Sequence, residues 1–562
     1  MRIARRSLLL AASLAATPFP SWAQGAQSGL SRGVFSHGVA SGDPLTDRVI
    51  IWTRFVPAGD GRIGWEVARD EAFADVVARG HAAARFANDF CVKVDVGGLP
   101  AGGQYYYRFV SASGPSVTGM TRTAPDGAAE SLTIALFSCA NFPFGYYHAY
   151  RDAAADPSID LAVHVGDYIY EVPRGVYPGP DEAVPGRIID PVTETVSLSD
   201  YYLRYASYHT DPDLLELRRL KPLCVVWDDH EIANDTWKDG AQAHNPNTEG
   251  AFADRVAAAT KAYFDWMPIR RPDQRGPRIY RSLDWGNLAR IVLTDTRYIG
   301  RDHQIDLAQA LFANMAEDGS NMAQAIATFR RDYLDQEGRS LMGMEQEAWF
   351  AHALGESKSR GQTWQIIAQQ IVMGDQVAAQ GMDALLPDDV SPGSRRWFSA
   401  GVAMGAAGLG WNMDSWTGYP AAKRRLLEAC ASYANNAVVL AGDSHNCWIN
   451  NLPAPNQSGR LAAVEFAGGS VSSPGFERSL TNAEPGQRES LMQSANPELA
   501  FCDITNRGYG KLRFTATSCD AEWRAWSVPD NKSPAPIAPI VTRMSTTPSA
   551  EAGPGAWDIA TA

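Results

Sequence analysis

Short runs of alternating apolar and polar residues dominate the first patterned part of the chain. They occupy residues 49–53, 63–67, 91–96 and 105–110, and clusters of Gly and Pro separate them. Alternation with a period of two is typical of a half-buried strand, and no helical pattern lies between the runs. The pattern therefore predicts a small all-β sandwich of the immunoglobulin or fibronectin kind over residues 31–125.

After residue 131 the pattern changes to strands that are apolar throughout, each followed by polar or helix-forming residues. Such strands are predicted at 132–137, 159–165, 223–227, 289–294, 364–369 and 437–441. Continuously apolar strands are buried on both faces, which is typical of α/β domains. We expect an α/β (α+β) domain over residues 131–528, with sheets sandwiched between helices and a ligand site where the strands end.

Three segments depart from this pattern. Residues 171–196 form a loop rich in Pro, Gly and acidic residues, and residues 302–359 form a polar, helix-prone insertion. Residues 529–562 are rich in Pro, Ala, Ser and Thr, a composition that can bury little apolar surface. We therefore predict a disordered tail over 529–562, with a tail draped over the protein surface as the alternative.

Residues 1–27 are typical of an export signal: basic residues, an apolar run, then Ser21-Trp22-Ala23 as a cleavage site. The apolar run is too short to span a membrane, so we expect no transmembrane anchor. The segment Arg5-Arg6-Ser7-Leu8-Leu9 is similar to a signal for the twin-arginine translocase, and an ordinary secretory signal is the alternative. We therefore expect a periplasmic or secreted protein.

Charge and cysteine content narrow the function classes. The chain has 50 basic and 63 acidic side chains and a net charge of -13, which opposes broad attachment to nucleic acid or to an anionic membrane. Seven cysteines are an odd number for an exported protein. At least one of them is therefore unpaired or bonded to something other than sulfur.

Four of the apolar strands run directly into side chains of the metal-ligand type. Any one such residue is more often a buried thiol, a turn or a surface hydrogen bond than a ligand. Burying several carboxylates without a cation is energetically costly, so the four clusters together indicate a metal site. The clusters comprise Cys139 and Asn141, then Asp167 and Tyr170, then Asp229, His230 and Glu231, and finally Asp443 and His445.

The combination Gly-Asp-x-x-Tyr, Asp-His-Glu and Gly-Asp-x-His resembles the calcineurin-like metallophosphoesterases in their purple-acid-phosphatase-like branch. More closely, it is similar to the PhoD family of alkaline phosphatases and phosphodiesterases. Residues 35–44 resemble the opening of that family's N-terminal domain. Segments 295–298, 369–370, 465–466 and 470–475 agree with the same family.

The resemblance implies two metals that share Asp167. One would be bound by Cys139, Asp167, Tyr170 and His445, a set with three negative charges that favours Fe3+. The second would use Asp229 and Asp443 in addition to Asp167, and oxygen ligands suit Ca2+ or Mg2+ better than zinc. We expect iron and calcium, with the number of calcium ions left open.

The resemblance also implies hydrolysis of phosphate esters by metal-activated hydroxide. His230 would orient the phosphate and protonate the leaving group, or else it only fixes Asp229. Asn141, Glu231 and Asn234 are candidates for phosphate contacts or for supporting the ligands. Arg297 is a candidate for binding phosphate through its planar guanidinium group, and a structural salt bridge is the alternative role.

Several functional alternatives stay open at this point. The substrates would be small phosphate monoesters or diesters, and a phospholipase-D-like phosphodiesterase is the nearest alternative. A secreted calcium-holding binding protein without catalysis is an alternative of another class. The sequence Gly29-Leu30-Ser31-Arg32-Gly33 matches a serine-hydrolase motif, but no predicted strand precedes it and no helix follows it, so we treat it as a chance match.

Overall fold

The structure is a computed structural model that describes residues 35–57, 61–272, 276–307, 309–311, 321–549 and 553–560. The predicted signal segment 1–27 and the serine motif at 29–33 lie outside these residues. Within the described residues, no helix combines the length and the apolar character that a membrane crossing requires.

Nine strands precede the first α-helix in the described part of the chain, and strands and helices are interspersed after it. The strands are β1 Val39–Gly42, β2 Arg48–Arg54, β3 Arg62–Ala68, β4 Val76–Ala83, β5 Cys91–Gly97, β6 Gln104–Ser111, β7 Gly114–Pro115, β8 Gly119–Arg122, β9 Leu132–Phe137, β10 Leu161–His164, β11 Leu223–Val225, β12 Thr236–Trp237, β13 Gly240–Ala241, β14 Arg281–Trp285, β15 Ala289–Leu293, β16 Trp364–Ala368, β17 Ala437–Ala441, β18 Cys447–Pro453, β19 Leu461–Ala467, β20 Leu499–Asp503, β21 Arg507–Phe514, β22 Cys519–Trp526, β23 Ile540–Thr546 and β24 Asp558–Ile559. The helices are α1 His148–Ala155, α2 Leu198–Tyr208, α3 Pro212–Leu220, α4 Pro246–Glu249, α5 Phe252–Trp266, α6 Met322–Phe329, α7 Met344–Ser359, α8 Pro392–Ala406, α9 Pro420–Tyr433, α10 Gln487–Ala495 and α11 Val528–Asn531.

Two large sheets form the centre of the molecule. The ten-stranded sheet has the order β24-β23-β22-β21-β9-β10-β11-β1-β2-β5, and the seven-stranded sheet has the order β14-β15-β16-β17-β19-β18-β20. β9, β10 and β11 are parallel to one another, as are β15, β16, β17 and β19. The carboxyl ends of several strands therefore lie at one edge of each sheet, which is where ligand sites form in open α/β sheets.

The inner faces of the two sheets share one apolar core. Leu136 and Val163 from the ten-stranded sheet belong to the same buried cluster as Ile366 and Val438 from the seven-stranded sheet. On the outer face of the seven-stranded sheet, Phe350 of α7 and Leu426 of α9 pack against alternate strand residues. The predicted fold class, sheets sandwiched between helices, is confirmed.

The N-terminal region is all-β, as predicted. β3, β4, β6, β7 and β8 form a five-stranded sheet, which packs on β2 and β5 through a separate apolar cluster that includes Val49, Val92, Val67 and Phe109. β1 pairs in parallel with β11 at Gly42 and Leu223, so one sheet of this sandwich continues into the ten-stranded sheet. The boundary near residues 125–131 stays a prediction.

A buried ion pair joins the N-terminal strands to the larger domain. Arg281 in β14 donates to both carboxylate oxygens of Asp43, at 2.7 Å and 3.0 Å, and its guanidinium also donates to the carbonyl of Val225 at 3.1 Å. Gly42 precedes Asp43, and a Cβ at Gly42 would overlap the carbonyl oxygens of Leu223 and Pro268. Glycine is therefore required where β1 meets β11.

The prediction of a disordered tail over 529–562 is wrong for most of its length. Residues 540–546 form β23, which pairs antiparallel with β22 along the edge of the ten-stranded sheet. Met544 and Trp557 are buried there. Composition alone could not reveal this strand, because its stability comes from pairing with an edge that is formed elsewhere in the chain.

We predict that Arg281→Met destabilises the protein by about 3–5 kcal/mol, because it leaves the fully buried carboxylate of Asp43 without its ion-pair partner. Urea unfolding followed by tryptophan fluorescence measures the change. The matched control is Arg48→Met, whose partner Asp47 is exposed, and this variant should change stability by less than about 1 kcal/mol. Equal effects of the two substitutions would contradict the proposed role of the buried pair.

Candidate metal centre

Six strand ends from the two large sheets converge on one place. β9, β10 and β11 lead to Cys139, Asp167 and Asp229, while β15, β16 and β17 lead to Arg297, Gln370 and Asp443. The side chain of Gln370 joins the sheets, because its amide donates to the carbonyls of Trp227 and Thr294, each at 2.8 Å. The site therefore lies at the shared edge of the two sheets.

Four of the predicted ligands have a left-handed backbone. The φ angles are +57° at Cys139, +54° at Asp167, +64° at Asp443 and +62° at His445. This conformation is unfavourable for a residue with a Cβ, by about 1–2 kcal/mol each, and such residues cluster at functional sites. These residues follow the ends of strands, and the left-handed conformation turns their side chains toward the site.

The first group of side chains is the one predicted for iron. The Tyr170 hydroxyl lies 2.9 Å from Asp167 Oδ2 and 3.1 Å from His445 Nε2. Cys139 Sγ and ligand atoms of Asp167 and His445 all lie within 4.8 Å of one another. Sulfur, phenol, imidazole and carboxylate can therefore touch one common atom.

A serine-rich loop at 470–474 holds this first group in place. Ser473 Oγ lies 2.7 Å from the Tyr170 hydroxyl and 2.9 Å from the Cys139 carbonyl. His445 Nδ1 is 2.7 Å from the Pro474 carbonyl, which leaves Nε2 facing the site. Such supporting hydrogen bonds fix the orientation of metal ligands.

The second group contains carboxylates. Asp167, Asp229 and His230 have ligand atoms within 4.8 Å of one another, and so do Asp228, Asp229 and Asp443. Asp167 belongs to both the first group and this one, which is the sharing that the family resemblance implied. Asp228 is a further carboxylate that was not among the predicted site residues.

Arg297 is fully buried at the centre of these acids. Its Nε donates to Asp228, its Nη1 donates to Asp414 at 2.6 Å, and its Nη2 donates to Asp443. All three nitrogens of the guanidinium are thus engaged by carboxylates. The geometry favours the structural salt bridge over direct phosphate binding, the two alternatives that the sequence left open.

His230 forms a dyad with a buried carboxylate. Its Nδ1 lies 2.6 Å from Glu171 Oε2, and Glu171 Oε1 accepts the backbone N–H of Asn234 at 2.7 Å. Burial alone would lower the pKa of His230, but the carboxylates of Glu171, Asp167 and Asp229 outweigh it and raise this pKa well above its ordinary value. The contact with Glu171 places His230 to hold a proton beside the predicted metal ligands.

The remaining predicted residues support the site in different ways. Glu231 accepts the backbone N–H groups of Asp167 at 3.1 Å and Asp228 at 2.7 Å, so it clamps two ligand loops together. Asn141 donates to the Tyr177 carbonyl at 3.3 Å, and its buried Oδ1 has no hydrogen-bond partner among the described residues. Asn234 lines the cavity beside His230.

The electrostatics of the site suit a cation. Burial raises the pKa values of Cys139, Asp167 and Asp443 well above their ordinary range, and neighbouring negative charges add to the effect. The buried Asp167 Oδ1 and Asp228 Oδ2 accept no hydrogen bond from the described residues. Bound cations would satisfy these oxygens and favour the ionised ligands, so the donor set fits metal binding.

A cavity of about 350 Å³ opens beside the ligands. His230 and His445 form its inner end, and Val172, Pro173 and Tyr177 of the 171–196 loop form one wall. The loop is held to the rest of the protein by Arg478, which pairs with Glu182 at 2.7 Å. The cavity is large enough for a small organic group next to His230.

Four functional neighbours were not predicted from the sequence: Asp228, Glu171, Asp414 and Ser473. Asp228 and Glu171 directly adjoin predicted site residues, and their acidic character next to Asp229 and Tyr170 was a usable signal. Asp414 arrives from the loop after α8 and accepts from Arg297 and Arg301. No local pattern marks a single aspartate in such a loop.

The chain matches known proteins over most of its length. A family described as PhoD-like phosphatase matches residues 134–523, and one described as PhoD-like phosphatase, N-terminal domain, matches residues 21–125. Alkaline phosphatase D from Bacillus subtilis (strain 168) is 32% identical over 510 residues, which is 87% of this chain and 77% of the relative. A solved structure entitled "Structure of PhoD" superimposes with a TM-score of 0.73 at 29% identity, covering 95% of this chain and 93% of the other.

We predict that Gly166→Ala disrupts the centre. Gly166 has a φ of +113°, and a Cβ there would overlap the backbone nitrogen and the Cβ of Asp228, so the loops bearing Asp167 and Asp228 could not approach. Elemental analysis of the purified variant should show loss of most bound metal. The control Gly175→Ala also has a positive φ, +81°, but its Cβ would point into open space. Equal metal content in the two variants would contradict the packing argument.

Proposed function

The chain belongs to the PhoD-like phosphatase family and is a phosphoester hydrolase; on that premise we propose that it is exported and acts through an iron and calcium centre. The observation that carries the proposal is the convergence of Cys139, Tyr170 and His445 with Asp229 and Asp443 across the shared Asp167. This donor set has a clear division between the two sides of Asp167. One side offers thiol, phenol and imidazole, and the other offers carboxylates.

The first side suits Fe3+, and Cys139, Asp167, Tyr170 and His445 would hold it. The second side would hold Ca2+ through Asp167, Asp229 and Asp443, because carboxylate oxygens are the ligands that this ion prefers. When bound, such ions would activate water as Lewis acids and offset the charge on the phosphoryl oxygens. The buried position of the ligands strengthens these electrostatic effects.

The protein's own residues contribute positioning and proton transfer. Glu171 fixes the imidazole of His230 through Nδ1 at 2.6 Å, which leaves Nε2 as the atom that can donate a proton. A leaving alkoxide next to Nε2 would receive that proton, as in general acid catalysis. Arg297 holds Asp228, Asp414 and Asp443 in place, so we assign it a positioning role.

Export by the twin-arginine route is part of the proposal. The segment Arg5-Arg6-Ser7-Leu8-Leu9 supports it, because this route carries folded proteins and a folded protein can acquire metal before export. All seven cysteines are free and buried, so the fold needs no disulfides and can form inside the cell. The proposed location is the periplasm or the exterior.

Removal of metal tests the proposed centre. Purified protein should contain iron and calcium, absorb visible light, and hydrolyse p-nitrophenyl phosphate or bis(p-nitrophenyl) phosphate until a chelator is added. Cys139→Ser should lose the iron, the colour and nearly all turnover, whereas Cys430→Ser, equally buried in α9, should keep all three. Active protein that contains neither metal would overturn the assignment.

Substitution of His230 tests whether this residue acts as the general acid. His230→Ala should lower kcat by about 100- to 10,000-fold on an alkyl phosphate, because the alkoxide leaving group needs a proton. The loss should be smaller on p-nitrophenyl phosphate, whose leaving group is stable without one. His352→Ala on α7, where the side chain is 73% exposed, is the control. Equal losses of kcat on the two esters would show that His230 does not donate a proton to the leaving group.

A further inference from the structure

The cavity beside His230 is placed to receive the leaving group of the substrate. A general acid must lie within hydrogen-bond reach of the oxygen that it protonates. Nδ1 of His230 is used by Glu171, so the reacting oxygen must approach from the side of Nε2. The group attached to that oxygen would then extend into the cavity, whose inner end His230 and His445 form.

One carboxylate faces this cavity while its cationic partner is hidden. Glu194 lines the cavity with 27% of its side chain exposed, and it pairs at 2.7 Å with Arg255, whose side chain is 0% exposed. Away from the inner end, the charge presented to a group inside the cavity is therefore the negative charge of Glu194. At the inner end the carboxylate of Glu171 is offset by the proton that His230 carries, so this pair adds no net charge.

The neighbouring arginines are not available to bind an anion in this cavity, because other groups of the protein already engage them. Besides Glu194, Arg255 donates to the Tyr201 hydroxyl at 3.1 Å, the Ala243 carbonyl at 2.8 Å and Glu249 at 3.1 Å. Arg204 lies fully buried behind the loop and donates to backbone carbonyls, among them those of Tyr170 and Val172. Arg478 lies against the Tyr177 ring but pairs with Glu182.

The uncharged groups of the cavity suit a neutral leaving group. Asn234 and Gln242 line it with amides that bond to each other at 3.1 Å, and Tyr177 and Pro173 supply apolar surface. An amide can bind a hydroxyl or carbonyl without a change of charge. A carboxylate or phosphate placed in the cavity would instead lose hydration and meet Glu194.

We propose that Glu194 is a specificity-determining residue that makes the enzyme select phosphate esters with uncharged leaving groups and reject those with anionic ones. This inference rests on the proposed function, because it assumes that His230 protonates the leaving group. At separations of several ångströms near a protein surface, removing one like charge changes an interaction by about five- to tenfold.

A pair of matched esters tests the inference. 4-Carbamoylphenyl phosphate and 4-carboxyphenyl phosphate have leaving groups of nearly equal size, and only the second carries an extra negative charge. We expect kcat/KM of the wild-type enzyme to favour the carbamoyl ester by about tenfold or more. Glu194→Gln should raise kcat/KM for the carboxy ester and reduce the preference by about five- to tenfold.

The control is Glu249→Gln, which removes a carboxylate from the other side of the same Arg255 but outside the cavity. Its preference should equal that of the wild type. Equal hydrolysis of the two esters by the wild type, or an equal change in the two variants, would overturn the role of Glu194. Because Glu194→Gln could fail to fold, the wild-type preference is also measured between about 0.02 M and 0.5 M salt, a range over which screening changes strongly.

A charge-based preference should fall as salt rises, since ions screen the repulsion. A preference that does not depend on salt would overturn the inference without any variant. Failure of the proposed acid role of His230 gives a different result: His230→Ala would lose kcat equally on an alkyl phosphate and on p-nitrophenyl phosphate. Hydrolysis of p-nitrophenyl phosphate with no discrimination between the matched esters would overturn the specificity inference alone.

Discussion

The balance of buried charge is the constraint on which the rest of this structure depends. Asp228, Asp229 and Asp443 have ligand atoms within 4.8 Å of one another, and Asp167 lies equally close to Asp229. Arg297 supplies a compensating charge by donating to Asp228 and Asp443. Burying several ionised carboxylates around one arginine is unfavourable by several kcal/mol per unpaired ion. Shared cations are the simplest way to offset that charge, and the thiol and phenol on the other side of Asp167 fit the same explanation. Bound cations in the proposed centre would therefore stabilise the packing of the loops as well as supply the chemistry.

Backbone geometry makes this concentration of charge possible. Left-handed residues at the ends of β9, β10 and β17 turn their side chains inward, and Gly166 lets the loop that carries Asp228 approach within van der Waals contact. Ser473, Pro474 and Glu231 then hold the ligand loops through hydrogen bonds. Strain of this kind persists only when a rigid surrounding structure determines it. The shared core between the two sheets supplies that rigidity.

Much of the fold and the site could be predicted from sequence, because the relevant signals are local. Continuous apolar runs identified β9 and β17 with their observed bounds. A side chain of the metal-ligand type after a buried strand marked Cys139, Asp167, Asp229 and Asp443 as candidates. What could not be predicted depends on distant partners. β23 exists because β22 offers an edge, Asp414 reaches Arg297 from a separate loop, and the role of Arg297 follows from three carboxylates in different segments. Each of these requires the tertiary structure, which a period or a motif does not encode.

Anomalous scattering from crystals of the exported protein tests the central claim most directly. Data collected above and below the iron absorption edge should reveal one iron atom bounded by Cys139, Tyr170 and His445. A lighter ion should lie on the opposite side of Asp167, next to Asp229 and Asp443, with an Asp167 oxygen in contact with each ion. Density for no metal within bonding distance of Asp167, in crystals of active enzyme, would contradict the account.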